Sequence, residues 1–406
     1  MKSQRYYIKL FDQVLAAFDF VQDRRNPAYV CNLEIDESLR YLLPLNIAAE
    51  PTDDELSRFL SSRRIPKNRS YVQQVLEPYG ISLEDTKGII DITKGVSIND
   101  SYLVVAEDDP VAFSECNLYE NDFNVALQVA AYSGVVSRNV LDAQGLPSEL
   151  TVSGSFPKAW RIIEGKRVLF KAGEVRYPAM KCLMPYSEYL ASQVARAMGV
   201  NAVSYGLERW RGRLCSTCEV FNTKHVSFVP LYAALPRREL ARFGLDSALE
   251  FFYAIAPTES TAFVSMLVFD AVVANEDRHF GNYGVLREND TGKLIGMAPL
   301  FDHNLSLFCD VLDSDMSLEQ LIEAEKRYSS AFGSNLYKQL EDVMEPSQVG
   351  ALERLSNFSF SLDDGYFAYA DTHPDAPDAF SRQRLDALGS FVRFVANEAL
   401  KRFRNR

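Results

Sequence analysis

Asn275-Glu276-Asp277-Arg278-His279-Phe280-Gly281-Asn282-Tyr283-Gly284 is followed, after a hairpin's length, by Met297-Ala298-Pro299-Leu300-Phe301-Asp302-His303-Asn304. The first stretch offers a carboxylate at Asp277 and, five positions on, a neutral amide at Asn282. The second ends an apolar run on another carboxylate, Asp302. A carboxylate can orient and accept the proton of an attacking hydroxyl. An amide oxygen and a second carboxylate can share a hard divalent cation without crowding charge. Alone, this spacing also fits a polar loop that merely caps the apolar helix read over 259–274, so the rest of the chain decides.

With 406 residues and 47% hydrophobic content, the chain has material for two or three domains with sizeable cores. Its formal net charge of −12 argues against direct nucleic-acid binding, which draws affinity from Lys and Arg neutralising phosphates. Local basic patches (Arg63-Arg64 with Lys67 and Arg69; Lys401 to Arg406) do not reverse that balance. No run approaches eighteen apolar residues, and the start lacks a signal peptide's apolar core. The six cysteines are scattered at positions 31, 116, 182, 215, 218 and 309, a pattern of reduced thiols rather than a disulfide framework. A cytoplasmic protein with no membrane association is expected.

The first 110 residues read as a mixed accessory domain. Val30–Ile35 and Leu42–Leu45 look like short strand or loop pieces. Thr52 is a helix N-cap with Glu55 at the capping-box position, and Gly80 suits a left-handed C-cap. Residues 111–148 connect onward through a helical piece around 125–130. From 149 to 222 the pattern turns to strands: Leu150–Ile163 reads as strand, glycine turn, strand, and Glu164-Gly165 makes a second turn into Arg167–Ala172. A helix follows from Ser187 to Met198, capped by Gly199, and then strands near 204–209 and 213–221. Residues 223–406 are mainly helical, with helices near 317–327, 334–344 and 382–403. The expectation is an α+β, two-lobed, protein-kinase-like fold, with a β-rich N-lobe, an α-helical C-lobe and an N-terminal accessory region.

The upstream half supplies what phosphoryl transfer needs. Gly154 and Ser155 sit in a turn whose backbone N–H groups and hydroxyl can cover phosphates, with Lys158 just beyond. Lys171 ends the third strand, and Glu188 lies one position into the next helix. A strand lysine paired with a helix glutamate is how kinases aim an ammonium at phosphates. Glu219 to Phe221 lies where an interlobe hinge would offer backbone groups to adenine. Asp277 then takes the role of catalytic base, with Asn282 and Asp302 on Mg²⁺. The expected cofactors are ATP and Mg²⁺. His279 and His303 are read as structural rather than as metal ligands, because zinc would want further nitrogen or sulfur donors. Cys215 and Cys218 form a lone C-x-x-C on opposite faces of a strand and are read as core.

Gly154-Ser155-Phe156-Pro157-Lys158, Lys171, Glu188, Asn275-x-Asp277-Arg278-His279-x-x-Asn282 and Ala298-Pro299-Leu300-Phe301-Asp302 together resemble the HipA-like serine/threonine kinases, bacterial enzymes from the toxin side of HipBA-type modules and related stand-alone kinases. The resemblance covers roughly residues 150 to 400. It implies transfer from ATP to Ser or Thr of a protein substrate, with Asp277 catalytic, Asn282 and Asp302 holding Mg²⁺ and Lys171 on phosphate. It further implies autophosphorylation at Ser155 and an antitoxin-type or regulatory partner. A kinase fold acting on a lipid or small molecule, and a non-catalytic scaffold, are the competing readings. Lys171, Asp277, Asn282 and Asp302 are all retained, which sets the scaffold reading behind the enzyme.

Overall fold

Tyr6, Ile8 and Leu10 are buried and alternate with more exposed neighbours along β1 (Lys2–Leu10), the period-two pattern of a strand with one face on a core. The computed structural model describes residues 2–23, 26–64, 71–135, 156–174 and 181–405. β1 pairs antiparallel with β2 (Gln13–Asp23) and with β4 (Tyr102–Ala106), and β3 (Asn26–Ile35) pairs with β2, giving the order β3-β2-β1-β4. The opening residues thus form a continuous antiparallel sheet, where the sequence had suggested short pieces only. Helix Asp53–Ser61 covers one face through Leu56, Phe59 and Leu60. As expected, Thr52 accepts from the Glu55 N–H at 3.3 Å. The Glu55 side chain does not complete the box: it takes hydrogen bonds from Asn46, Arg58 and the Arg237 N–H. β4 is buried on both faces: Tyr102 and Val104 join that core, while Leu103 and Val105 join a second one with Phe113, Leu118 and Trp160.

The chain divides into two compact units, each assembled from three separate segments. The first comprises Met1–Lys171, Glu219–Phe243 and Gly284–Ile295. Besides the four-stranded sheet it holds the hairpin of β5 (Lys158–Ile163) with β6 (Lys166–Ala172), turned at Glu164-Gly165, both with positive φ. The first strand and glycine turn expected near 150–155 fall outside the described residues. After β7 (Gly206–Trp210) and β8 (Arg213–Glu219), which belong mostly to the second unit, β9 (Val226–Pro230) returns to the first and pairs with β10 (Gly284–Glu288). β11 (Leu294–Met297) completes that three-stranded sheet. Arg287 on β10 is buried and donates to the Leu43 carbonyl (2.8 Å), the Tyr102 hydroxyl (2.7 Å) and the Tyr41 carbonyl. At Gly284 the partner backbone is so close that a Cβ would penetrate the Val229 carbonyl oxygen. Gly284→Ala is therefore expected to cost about 1–3 kcal/mol by overpacking, read as a lower urea midpoint. An unchanged midpoint would show that β9 can shift to admit the methyl.

The second unit comprises Ala172–Cys218, Gly244–Tyr283 and Gly296–Arg406. Its centre is the helix Pro257–Val272, opened by proline at its first position. Phe263, Val264 and Met266 through Val272 are all buried, so the helix is surrounded rather than amphipathic. Phe252 stacks on Phe263 with ring centroids 5.0 Å apart. The C-terminal helix Arg382–Arg404 contributes Phe391, which meets Phe308 edge-on at 4.7 Å. Helix Met184–Met198 ends at Gly199, with φ of 73° as the C-cap reading required. It begins earlier than expected, so Glu188 sits a full turn inside it. Leu183 and Met184 are buried and Pro185 occupies the first turn, an apolar entry that lacks the polar cap by which a start is usually read.

Candidate active site

Lys158, Lys171, Glu219 and Phe221 belong to the first unit, and Glu188, Asp277, Asn282 and Asp302 to the second. Gly154 and Ser155 lie outside the described residues.

In the first unit, Lys158 and Lys171 face each other across the β5–β6 hairpin as register partners. Opposed residues of an antiparallel pair project from the same face. Both lysines are buried, at 5% and 7% exposure. A buried ammonium is stable only where opposite charge or hydrogen-bond acceptors compensate for lost water. Phe156 stands 5.9 Å from the Lys171 ammonium, ring centroid to Nζ. Glu219 is exposed and pairs with Lys166 at 2.6 Å. The Val220 N–H is taken by the Arg167 carbonyl at 3.0 Å, and Phe221 packs edge-on against Phe228 at 5.4 Å. Lys158, which the sequence left open between phosphate contact and simple exposure, is thus enclosed.

In the second unit the loop after helix Pro257–Val272 is organised from beneath by a residue the sequence did not single out. Asp270, in the last turn of that helix, is 1% exposed. It receives the Arg278 fork bidentately, Nε to Oδ2 and Nη2 to Oδ1, both at 2.9 Å. The Asn275 amide also donates to Oδ1 at 2.9 Å. Arg278 Nη1 reaches the carbonyls of Asn282 (2.7 Å) and Phe301 (2.9 Å), and Nη2 meets His303 Nδ1 at 3.2 Å. Burial disfavours the guanidinium's charge, but the Asp270 charge and its hydrogen bonds outweigh this, so Arg278 holds its proton more firmly than an ordinary arginine. One buried ion pair therefore fixes both ends of the loop and the segment carrying Asp302. The sequence signal was present: a lone carboxylate in the apolar second half of the helix, Met266 to Val272, eight residues before an arginine.

The functional side chains stand on this support. The Asp277 N–H donates to Asn275 Oδ1 at 3.2 Å, and the Asp277 carbonyl accepts from Asn282 Nδ2 at 3.0 Å. With its nitrogen committed to the backbone, the Asn282 amide keeps its oxygen as the donor atom for a cation. Asp302 holds a left-handed backbone, φ 59°, and its N–H donates to the Tyr205 hydroxyl at 3.0 Å. An amide oxygen and a carboxylate are the hard oxygen donors that Mg²⁺ takes beside phosphate, so these residues fit that ion. Glu188 is 1% exposed and accepts from the Ser216 hydroxyl. His279 Nδ1 accepts the Gly281 N–H at 2.9 Å, and His303 is fully buried against Arg278. Both histidines do the structural work expected of them. Beside Glu276, a cavity of about 580 Å³ is lined by Asp310, Asp315, Glu323, Arg327 and Tyr328.

The family model described as the HipA-like C-terminal domain matches residues 150–355, just over half of the chain. The chain belongs to this family. Among curated proteins, this HipA-like chain is 28% identical over 132 residues to the serine/threonine-protein kinase CtkA of Helicobacter pylori strain J99. That match covers 30% of this chain and 40% of the relative, well under two thirds of its length. Among solved structures, it is similar to the toxin–antitoxin HipA of Shewanella oneidensis MR-1, crystallised with HipB and its operator DNA. The TM-score is 0.52 at 13% identity, covering 98% of this chain and 99% of that one. The H. pylori proinflammatory kinase CtkA aligns at a TM-score of 0.47 and 18% identity, over 62% of this chain and 92% of that one. The α+β, kinase-like fold expected from the sequence is the fold of this HipA-like chain. No helix among the described residues is long and apolar enough to cross a membrane.

Proposed function

We propose that this HipA-like chain is an ATP- and Mg²⁺-dependent kinase that phosphorylates Ser or Thr of a protein. The observation that carries it is the loop fixed by Asp270 and Arg278, which presents Asp277, Asn282 and Asp302 from one support. Asp277 accepts the proton of the acceptor hydroxyl as its oxygen bonds to the γ-phosphorus, and the bond from that phosphorus to the β-phosphate bridging oxygen breaks, releasing ADP. Lys158 and Lys171 hold phosphate oxygens with two enclosed charges. Mg²⁺, when bound by Asn282 and Asp302, neutralises charge on the phosphates. Gly154 and Ser155 would cover the phosphates, and Glu219 to Phe221 would border adenine. A phosphate on Ser155 would set like charge in the nucleotide's place, so autophosphorylation there would inactivate. An antitoxin-type or regulatory protein partner belongs to the same reading, supported by the HipA–HipB complex of the S. oneidensis relative.

Incubation with labelled ATP and Mg²⁺ is expected to label the protein or a generic acceptor, with Ser155 among the phosphopeptides found by mass spectrometry. In calorimetry, Asp302→Asn is expected to abolish the Mg²⁺-dependent gain in ATP affinity while leaving metal-free binding in place. Labelling that survives both Asp277→Asn and Asp302→Asn would overturn the assignment.

A further inference from the structure

The geometry points to Tyr205 as a positioning residue that holds Asp302 in its metal-binding conformation. This inference rests on the kinase reading above and adds a residue to it. Asp302 occupies the left-handed region, φ 59°, which is uncommon for a residue with a Cβ, though aspartate tolerates it better than most. The neighbouring residues are each pinned. The Leu300 N–H donates to the Asn201 carbonyl at 2.9 Å, and the Leu300 carbonyl accepts from Val203 at 2.8 Å. The Phe301 carbonyl and the His303 ring are held by Arg278. At Asp302 itself the main-chain anchor is the 3.0 Å hydrogen bond from its N–H to the Tyr205 hydroxyl.

That hydroxyl is placed to do more than accept one bond. The Tyr205 ring meets the His303 ring edge-on at 6.2 Å, which sets the ring's direction. The carboxylates of Glu188 and Asp302 both bear on the hydroxyl electrostatically. Glu188 in turn is held by Ser216 on β8. The hydrogen bond from the Asp302 N–H to the Tyr205 hydroxyl thus fixes the main chain of the metal aspartate. Its consequence is that Asp302 presents its carboxylate before a cation arrives, so ordering is not charged against metal binding.

Tyr205→Phe removes only the hydroxyl and keeps the ring against His303. Nucleotide binding is measured by calorimetry with ATP in EDTA and across a Mg²⁺ titration, and thermal melting is recorded without ligand. The expected result is a five- to tenfold higher Mg²⁺ requirement, about the worth of one hydrogen bond, with metal-free ATP affinity unchanged. Equal weakening with and without Mg²⁺, or an unchanged Mg²⁺ requirement, would overturn the positioning role. Tyr205→Leu, which also removes the ring, is expected to lose more Mg²⁺ response than Tyr205→Phe; equality of the two would likewise overturn it. If the unaltered protein shows no Mg²⁺-dependent nucleotide binding, it is the kinase reading that fails.

Discussion

Asp277→Asn is expected to lower the rate of phosphoryl transfer from labelled ATP by about 10²- to 10⁴-fold, the usual contribution of a positioned base. The loop should stand unchanged around it. Two main-chain bonds tie Asp277 to the scaffold, its N–H donating to Asn275 Oδ1 at 3.2 Å and its carbonyl accepting from Asn282 Nδ2 at 3.0 Å, and both survive the substitution. The replacement is nearly isosteric and the residue is part-exposed, so the urea midpoint should stay within about 0.5 kcal/mol of the original. ATP affinity should also persist, because the phosphates are assigned to Lys158 and Lys171. A variant that keeps more than a tenth of the rate would remove Asp277 from the role of base. A variant that loses ATP binding would show that it acts on the nucleotide instead.

Arg278→Ala carries the largest expected loss of stability. Asp270 and Arg278 are each 2% exposed at the side chain, and removing one partner of a buried pair strands the other's charge, at a cost of about 3–5 kcal/mol. The bonds from Arg278 to Asn282, Phe301 and His303 disappear at the same time. Equilibrium urea unfolding should show the shift. Arg278→Lys is expected to recover only part of it, because an ammonium cannot span Asp270 and the two carbonyls with one planar fork. Losses for Asp270→Asn and Arg278→Ala should be strongly non-additive when combined, since they remove the same pair. Simple additivity would mean that the two residues act separately.

What could be read from the sequence was local. The positions of Asp277, Asn282 and Asp302, the Gly199 cap, the Thr52 cap and the Glu164-Gly165 turn depend on spacing or on one residue's backbone preference, so each is written within a few letters. The opening sheet was not legible. Tyr6, Ile8 and Leu10 do alternate with Arg5, Tyr7 and Lys9, but Tyr7 is itself aromatic, so the inner face is known only once β2 and β4 lie alongside. Asp270 and Tyr205 were hidden for a related reason. One looks like an interruption of an apolar helix and the other like an ordinary aromatic, and each gains meaning from partners 8 and 97 residues away. Lys158 stood in a plausible place, yet its burial opposite Lys171 belongs to the hairpin and to neither residue alone.

The threading of the first unit through three segments also sets an order of events during synthesis. Tyr102 and Leu43 are made early, but the arginine that donates to both is residue 287, 185 positions after Tyr102. At about 5–20 residues per second, the ribosome delivers it roughly ten to forty seconds later. Through that interval the amino-terminal sheet must leave those oxygens to water. A nascent chain stalled before β10 carries every strand of that sheet without its closing hydrogen bonds, a natural window for chaperone engagement.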